Sequence, residues 1–144
     1  MLVMAARVLF VCIHNSARSQ MAEALLNRDG GGLFVAESAG LQPGALNPVV
    51  VEVLRERGIE IADKRPRSVE EVLRSGAHYD YVITVCDEAS AAVCPDFPGG
   101  TERLHWSFPD PSALNGTREE RLAGTRPICD QIEQHIARWC TTSG

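Results

Sequence analysis

Cys12-Ile-His-Asn-Ser-Ala-Arg18-Ser19 sets five residues between a cysteine and an arginine. A thiolate is a strong nucleophile near neutral pH. A planar guanidinium holds two oxygens of a tetrahedral oxyanion at once. Ahead of Cys12 the run Val8-Leu-Phe-Val11 is continuous, β-branched and aromatic, as expected for a strand buried on both faces of a parallel sheet. Behind it, Met21, Ala22, Ala24 and Leu25 form an apolar stripe at helical spacing. The Cys-to-Arg segment is therefore a strand-to-helix turn, whose backbone N–H groups and helix dipole point into one concavity.

That geometry makes a cradle for an oxyanion of phosphate or arsenate size. It is lined by Ile13, His14, Asn15, Ser16, Ala17 and Arg18, with Cys12 as the attacking group. The same N–H groups and Arg18 stabilise a thiolate, and Arg18 orients the central atom for in-line attack. Ser19 is placed to donate its hydroxyl to the Cys12 sulfur, and Asn15 is a residue type that tolerates left-handed backbone. His14 has two readings, a solvent-facing loop residue or a contact to substrate. A cysteine at a strand end can also be a plain buried thiol; the flanking strand, the helix and the Arg-Ser ending favour the cradle.

The elements that position this loop follow from pattern and punctuation. Gly30-Gly31-Gly32 closes the first helix, and Leu33 to Glu37 reads as a second strand. Asn47-Pro48 starts a helix that runs to Gly58. Ser68-Val-Glu-Glu71 has the capping-box pattern of a short helix ending at Gly76. Tyr79 to Val85 is the third strand, ending at Cys86, and Thr101 to Trp106 the fourth, ahead of the loop Ser107-Phe-Pro-Asp-Pro111. Thr117-Arg-Glu-Glu120 is another cap, although Pro127 is expected to break or restart its helix. Ile128, Ile132, Ile136 and Trp139 then form the stripe of a last helix.

Strands alternating with helices predict an α/β fold, a doubly wound four-stranded parallel sheet with helices on both faces, flavodoxin-like in kind. In such sheets ligands bind beyond the carboxyl ends of the strands. Cys12, Cys86 and Asp110 all fall at such ends. The length of 144 residues, without a linker or repeat, suits a single domain spanning 1–144.

Fourteen basic against nineteen acidic residues give a net charge of -5, which disfavours a nucleic-acid surface. The apolar N-terminus, Met1 to Val11, is short and lacks a basic leader and a cleavage site, and no apolar run approaches the roughly 20 residues of a membrane span. A cytoplasmic chain with five reduced cysteines is the expectation. Cys86 and Cys94 are eight positions apart. From the residues alone they are two buried thiols or part of a zinc site with His78 or His105. Cys129 and Cys140 belong to helix packing or surface.

The stretch Val11-Cys-Ile-His-Asn-Ser-Ala-Arg-Ser-Gln-Met-Ala-Glu-Ala24 resembles the thioredoxin-coupled arsenate reductases, which share the low-molecular-weight protein tyrosine phosphatase fold. Glu37-Ser-Ala-Gly40, Asn47-Pro48, Val82-Ile-Thr-Val-Cys86, Cys94-Pro95 and His105-Trp-Ser-Phe-Pro-Asp-Pro111 are similar to that family as well, so the likeness covers most of the chain.

The resemblance implies that Cys12 attacks arsenate with loss of water, and that Cys86 attacks the Cys12 sulfur and expels arsenite. Cys94 then attacks Cys86, leaving a Cys86–Cys94 disulfide for thioredoxin. On that reading the segment from Asp87 to Val93, helical when reduced, has to rearrange. In the phosphatases of this fold an Asp before Pro acts as general acid, which corresponds to Asp110 here; otherwise Asp110-Pro111 is only a turn.

Two departures stand out. Many reductases carry a further Cys where this chain has Ala17. The phosphatases place Tyr after Asp-Pro, where this chain has Ser112-Ala113, which favours a small inorganic substrate over a phosphotyrosine. Low-molecular-weight tyrosine phosphatase activity is the alternative, and phosphate the competing oxyanion. Some family members hold potassium at positions matching Asn15, Glu23 and Ser38. No tightly bound cofactor, nucleic acid or membrane is implied, and a monomer is expected, with thioredoxin as the external reductant.

Overall fold

The computed structural model describes residues 5–143. The leader reading of Met1 to Val11 falls in part on residues 1–4, outside the described residues. Four strands, β1 (Ala6–Cys12), β2 (Phe34–Gly40), β3 (Tyr81–Thr84) and β4 (Glu102–His105), form one parallel sheet in the order β2-β1-β3-β4. Cys12 lies opposite Gly40, and Val11 is paired with both Ala39 and Thr84. The carboxyl ends of the two central strands therefore meet at one edge.

Five helices connect and cover the strands: α1 (Arg18–Asp29), α2 (Pro48–Glu56), α3 (Val69–Arg74), α4 (Glu88–Ala92) and α5 (Arg118–Ser143). Their starts are set by side chains that satisfy otherwise orphaned N–H groups. Asn47 accepts from the Val49 and Val50 N–H groups, Ser68 from Glu71, and Asp87 from Ser90. Thr117 and Glu120 form the reciprocal capping box that the sequence shows. Gly58 and Gly76, read as helix stops, lie just beyond α2 and α3 at φ of 79° and 73°.

Alternation along β1 separates two cores. Val8, Phe10 and Cys12 belong to a cluster with Met21 and Leu25 of α1, Val50 and Leu54 of α2, and Ile132 and Ile136 of α5. Leu9 and Val11 face the other way, against Val69 and Val72 of α3, Tyr79 and Val82. The doubly wound α/β sheet is thus present, with α1, α2 and α5 on one face and α3 on the other.

One expectation is corrected: α5 runs through Pro127 without a break. An interior proline costs about 3 kcal/mol. Fully burying one large aliphatic side chain stabilises by roughly 1.5–3 kcal/mol, and Ile128, Ile132 and Ile136 are all buried on the far side of that proline. Packing outweighs the lost hydrogen bond.

Candidate active site

The loop between β1 and α1 has its carbonyls turned outward. Those of Cys12, Ile13, His14 and Ser16 accept from the N–H groups of Leu41, Gln42, Gly44 and Asn47 at 2.7–3.1 Å. The Asn15 carbonyl accepts from Gln20 Nε2, and that of Ala17 from the Met21 N–H. With the carbonyls committed, the N–H groups face the interior of the loop. Among the described residues those of Ile13, His14, Ser16, Ala17 and Arg18 have no protein acceptor, and α1 starts at Ala17 without a side-chain cap. Free donors at a helix N-terminus form an anion nest.

Gly40 permits this closeness. A Cβ there would lie 2.7 Å from the Asn15 nitrogen and 2.8 Å from the Ile13 oxygen, both backbone atoms. Asn15 itself is the one non-glycine residue with positive φ among the described residues, at 52°, and it is fully buried. Its side chain anchors the turn: Oδ1 accepts the Arg67 N–H at 2.9 Å, which leaves Nδ2 to donate to Ser19 Oγ at 2.8 Å. The Ser19 hydroxyl lies 2.8 Å from the Cys12 sulfur and is the donor to it when the sulfur is a thiolate, which can only accept. The Asn15 N–H donates to the same sulfur at 3.2 Å. Two donors thus stabilise negative charge on Cys12, which is 3% exposed.

Arg18 is buried and braced from the loop after β4. Nη1 donates to the Phe108 carbonyl at 3.2 Å and Nη2 lies 3.7 Å from Asp110 Oδ2. Phe108 and Trp106 pack against the His135 ring of α5, which fixes that loop. Asp110 is both a turn residue and a site residue: Oδ1 accepts the Ser112 N–H and caps the short 3-10 turn Pro111–Ala113, while Oδ2 faces Arg18. His14 is exposed and donates from Nδ1 to the Gln42 carbonyl, on the solvent side of the loop.

The three cysteines divide between the two faces. Cys12 and Cys86 share one core cluster at the ends of neighbouring strands, and the Val85 N–H bonds the Val11 carbonyl just before them. Cys86 is fully buried, and burial pushes its thiol up to about 11, against the opposing pull of the Arg18 cation. Cys94 lies in the other cluster, beyond α4, where burial raises its thiol and Arg103 lowers it. All five cysteines are free. His105 bonds Thr84 Oγ1 at 2.7 Å and His78 sits beside Asp80. Among the described residues the zinc grouping drawn from sequence is not assembled. Cys129 is buried in α5, with its thiol also pushed up to about 11 by burial.

The potassium reading does not fit these residues. Glu23 Oε1 accepts the Ser38 hydroxyl at 2.7 Å, Glu23 Oε2 lies 2.6 Å from Lys64 Nζ, and Asn15 Oδ1 is committed to Arg67. An ammonium already neutralises the buried carboxylate. Lys64 and the outward partners at 41–47 escaped the sequence reading because their contacts link distant segments. Gly40 carried a usable signal, a glycine where a strand end meets the loop.

The chain is similar to several known proteins. An arsenate reductase of Halalkalibacterium halodurans is 37% identical over 135 residues, covering 94% of this chain and 95% of that protein. The solved structure of an arsenate reductase from Archaeoglobus fulgidus matches with a TM-score of 0.66 and 36% identity, covering 90% of this chain and 98% of that one. A thioredoxin-dependent arsenate reductase from Corynebacterium glutamicum matches with a TM-score of 0.70 and 32% identity over 96% of this chain, which spans 60% of that longer protein. The family model for low molecular weight phosphotyrosine protein phosphatase aligns with residues 7–143, and with it the chain belongs to the low molecular weight phosphotyrosine protein phosphatase family.

Proposed function

We propose that this chain reduces arsenate to arsenite through Cys12, Cys86 and Cys94, with thioredoxin as the reductant. The carrying observation is that Cys86 stands in the same core cluster as Cys12, at the end of the adjacent strand and within the field of Arg18. Hydrolysis of an ester has no use for a second thiol there. The names of the relatives support the same reading.

The Cys12 thiolate displaces water from arsenate held by the loop N–H groups and Arg18, giving a sulfur–arsenic bond. Asp110, facing Arg18, supplies the proton that the departing oxygen needs. Cys86 then attacks the Cys12 sulfur. The electron pair of the sulfur–arsenic bond passes to arsenic, which leaves as arsenite, and a Cys12–Cys86 disulfide remains. Cys94, losing its proton, attacks Cys86 and displaces Cys12 as a thiolate. Thioredoxin reduces the resulting Cys86–Cys94 disulfide. No resident cofactor takes part, and phosphate competes for the same cradle. The chain acts as a single-domain monomer.

Phosphoryl-ester hydrolysis is the second reading, and the placement of Asp110 against Arg18 favours it as a side activity. Cys86→Ser separates the two. Arsenate-dependent NADPH consumption with thioredoxin and thioredoxin reductase collapses in that variant, while hydrolysis of an aryl phosphate survives. Equal loss of both counts against the relay. Turnover sustained by a low-molecular-weight thiol system without thioredoxin overturns the reductant assignment.

A further inference from the structure

Cys94 starts the relay on the wrong side of the sheet. It belongs to the buried cluster that includes Leu9, Val11 and Val82, whereas Cys12 and Cys86 belong to the one that includes Phe10 and Ile83. To reach Cys86 it must leave that pocket, and the last turn of α4 must come apart, because the Cys94 N–H bonds the Ala91 carbonyl at 3.2 Å and the Val93 N–H that of Ser90. What holds this helix end in place is a side chain from the edge strand. Arg103 of β4 donates Nη1 to the Cys94 carbonyl at 2.9 Å and Nη2 to the Ala91 carbonyl, and Nη1 also lies 3.2 Å from Asp96 Oδ1. Arg103 alternates with Leu104, which packs on the Cys12 face, so its guanidinium reaches the face on which Cys94 lies.

We propose that Arg103 is a positioning residue for the relay, a clamp that holds the Ala91–Cys94 segment in the dithiol form and thereby sets how readily the Cys86–Cys94 disulfide is reduced. The proposal rests on the relay reading above. A guanidinium bound to two carbonyls at a helix end makes charge-assisted hydrogen bonds at the position where a cation is favoured. Those bonds belong to the conformer with Cys94 buried among Leu9 and Val11. Formation of the disulfide removes two electrons and two protons from the thiols and draws Cys94 toward Cys86, so the segment gives the bonds up. An interaction made only in the reduced form favours reduction. The clamp therefore makes the disulfide a better acceptor for the dithiol that regenerates the enzyme, and returns Cys94 to its pocket after each turnover.

The test is the equilibrium between dithiol and Cys86–Cys94 disulfide in glutathione buffers of graded potential, quenched by acid and alkylation and read by peptide mapping. Arg103→Ala is expected to shift that equilibrium about tenfold toward the disulfide, equivalent to about 30 mV for a two-electron couple. Arg103→Lys, which keeps the charge but loses the fork, is expected to fall between, and it carries the test if the alanine variant does not fold. In the reduced protein the amide protons of Val93 and Cys94 should exchange several-fold faster in either variant. An equilibrium within twofold of the parent in both variants overturns the clamp while leaving the relay standing. Absence of any Cys86–Cys94 disulfide in the parent after one equivalent of arsenate overturns the relay and the clamp together.

Discussion

The Ser19 hydroxyl lies 2.8 Å from the Cys12 sulfur and donates to it once that sulfur is ionised, while the Asn15 amide donates to the Ser19 oxygen. This hydrogen bond is the most direct support the loop gives to a negative sulfur. A hydrogen bond to a charged group contributes about 1.5–3 kcal/mol, or roughly ten- to hundredfold in rate where the charge develops. Ser19→Ala should slow alkylation of Cys12 by iodoacetamide at neutral pH by at least about tenfold. An unchanged alkylation rate would mean the hydroxyl has no part in activating the sulfur.

Gly40→Ala puts a methyl group against the backbone of Ile13, His14 and Asn15, at 2.7–2.8 Å. Backbone on both sides leaves no flexible partner to yield. The variant should lose about 1–3 kcal/mol of stability and bind phosphate or arsenate at least tenfold more weakly, read as the ligand-induced rise in melting temperature. A full ligand-induced rise in a folded variant would show that the loop tolerates the methyl group.

Alkaline pH acts through buried acids. Burial pushes the thiols of Cys86 and Cys129 up to about 11, and burial with the Glu37 hydrogen bond pushes the Tyr79 phenol up to about 12. In the unfolded chain these groups ionise near about 8.5 and 10. As pH rises the unfolded state loses its protons first, so the stability these groups contribute is complete below about pH 8.5 and is lost as pH climbs through about 11. The urea midpoint at pH 10.5 should be clearly below that at pH 8, and a flat profile contradicts the assignment. For the same reason, formation of the Cys12–Cys86 disulfide in a Cys94→Ser variant should still be accelerating at pH 9.

Lys64 neutralises the buried Glu23 carboxylate. Exchanging sodium for potassium should therefore leave the melting temperature of the parent chain unchanged. Lys64→Ala strands one carboxylate oxygen and should cost about 1–3 kcal/mol. A melting temperature that rises with potassium in the parent would restore the cation site.

How much of this was legible beforehand depends on the range of the contacts. The cradle could be read because strand, turn, Arg-Ser and helix are consecutive, and local patterning fixed Cys12, Arg18 and Ser19 relative to one another. Strand ends placed Cys86 and Asp110 near the loop, since a parallel sheet brings its carboxyl ends to one edge. The face on which Cys94 lies was not readable, because α4 is five residues long and its end is fixed by Arg103 from another strand. The Lys64–Glu23 pair spans 41 positions and has no local signature. Pro127 misled because its local cost is real, while the isoleucines that outweigh it act through tertiary burial.

The outward-facing loop carbonyls have a practical consequence. Four of them, those of Cys12, Ile13, His14 and Ser16, are tied to amide protons in the 41–47 connection, at Leu41, Gln42, Gly44 and Asn47, none of which lines the cradle. When an oxyanion tightens the loop, those four protons should exchange with solvent more slowly, so occupancy of the buried cradle can be watched by NMR from the outer rim of the molecule.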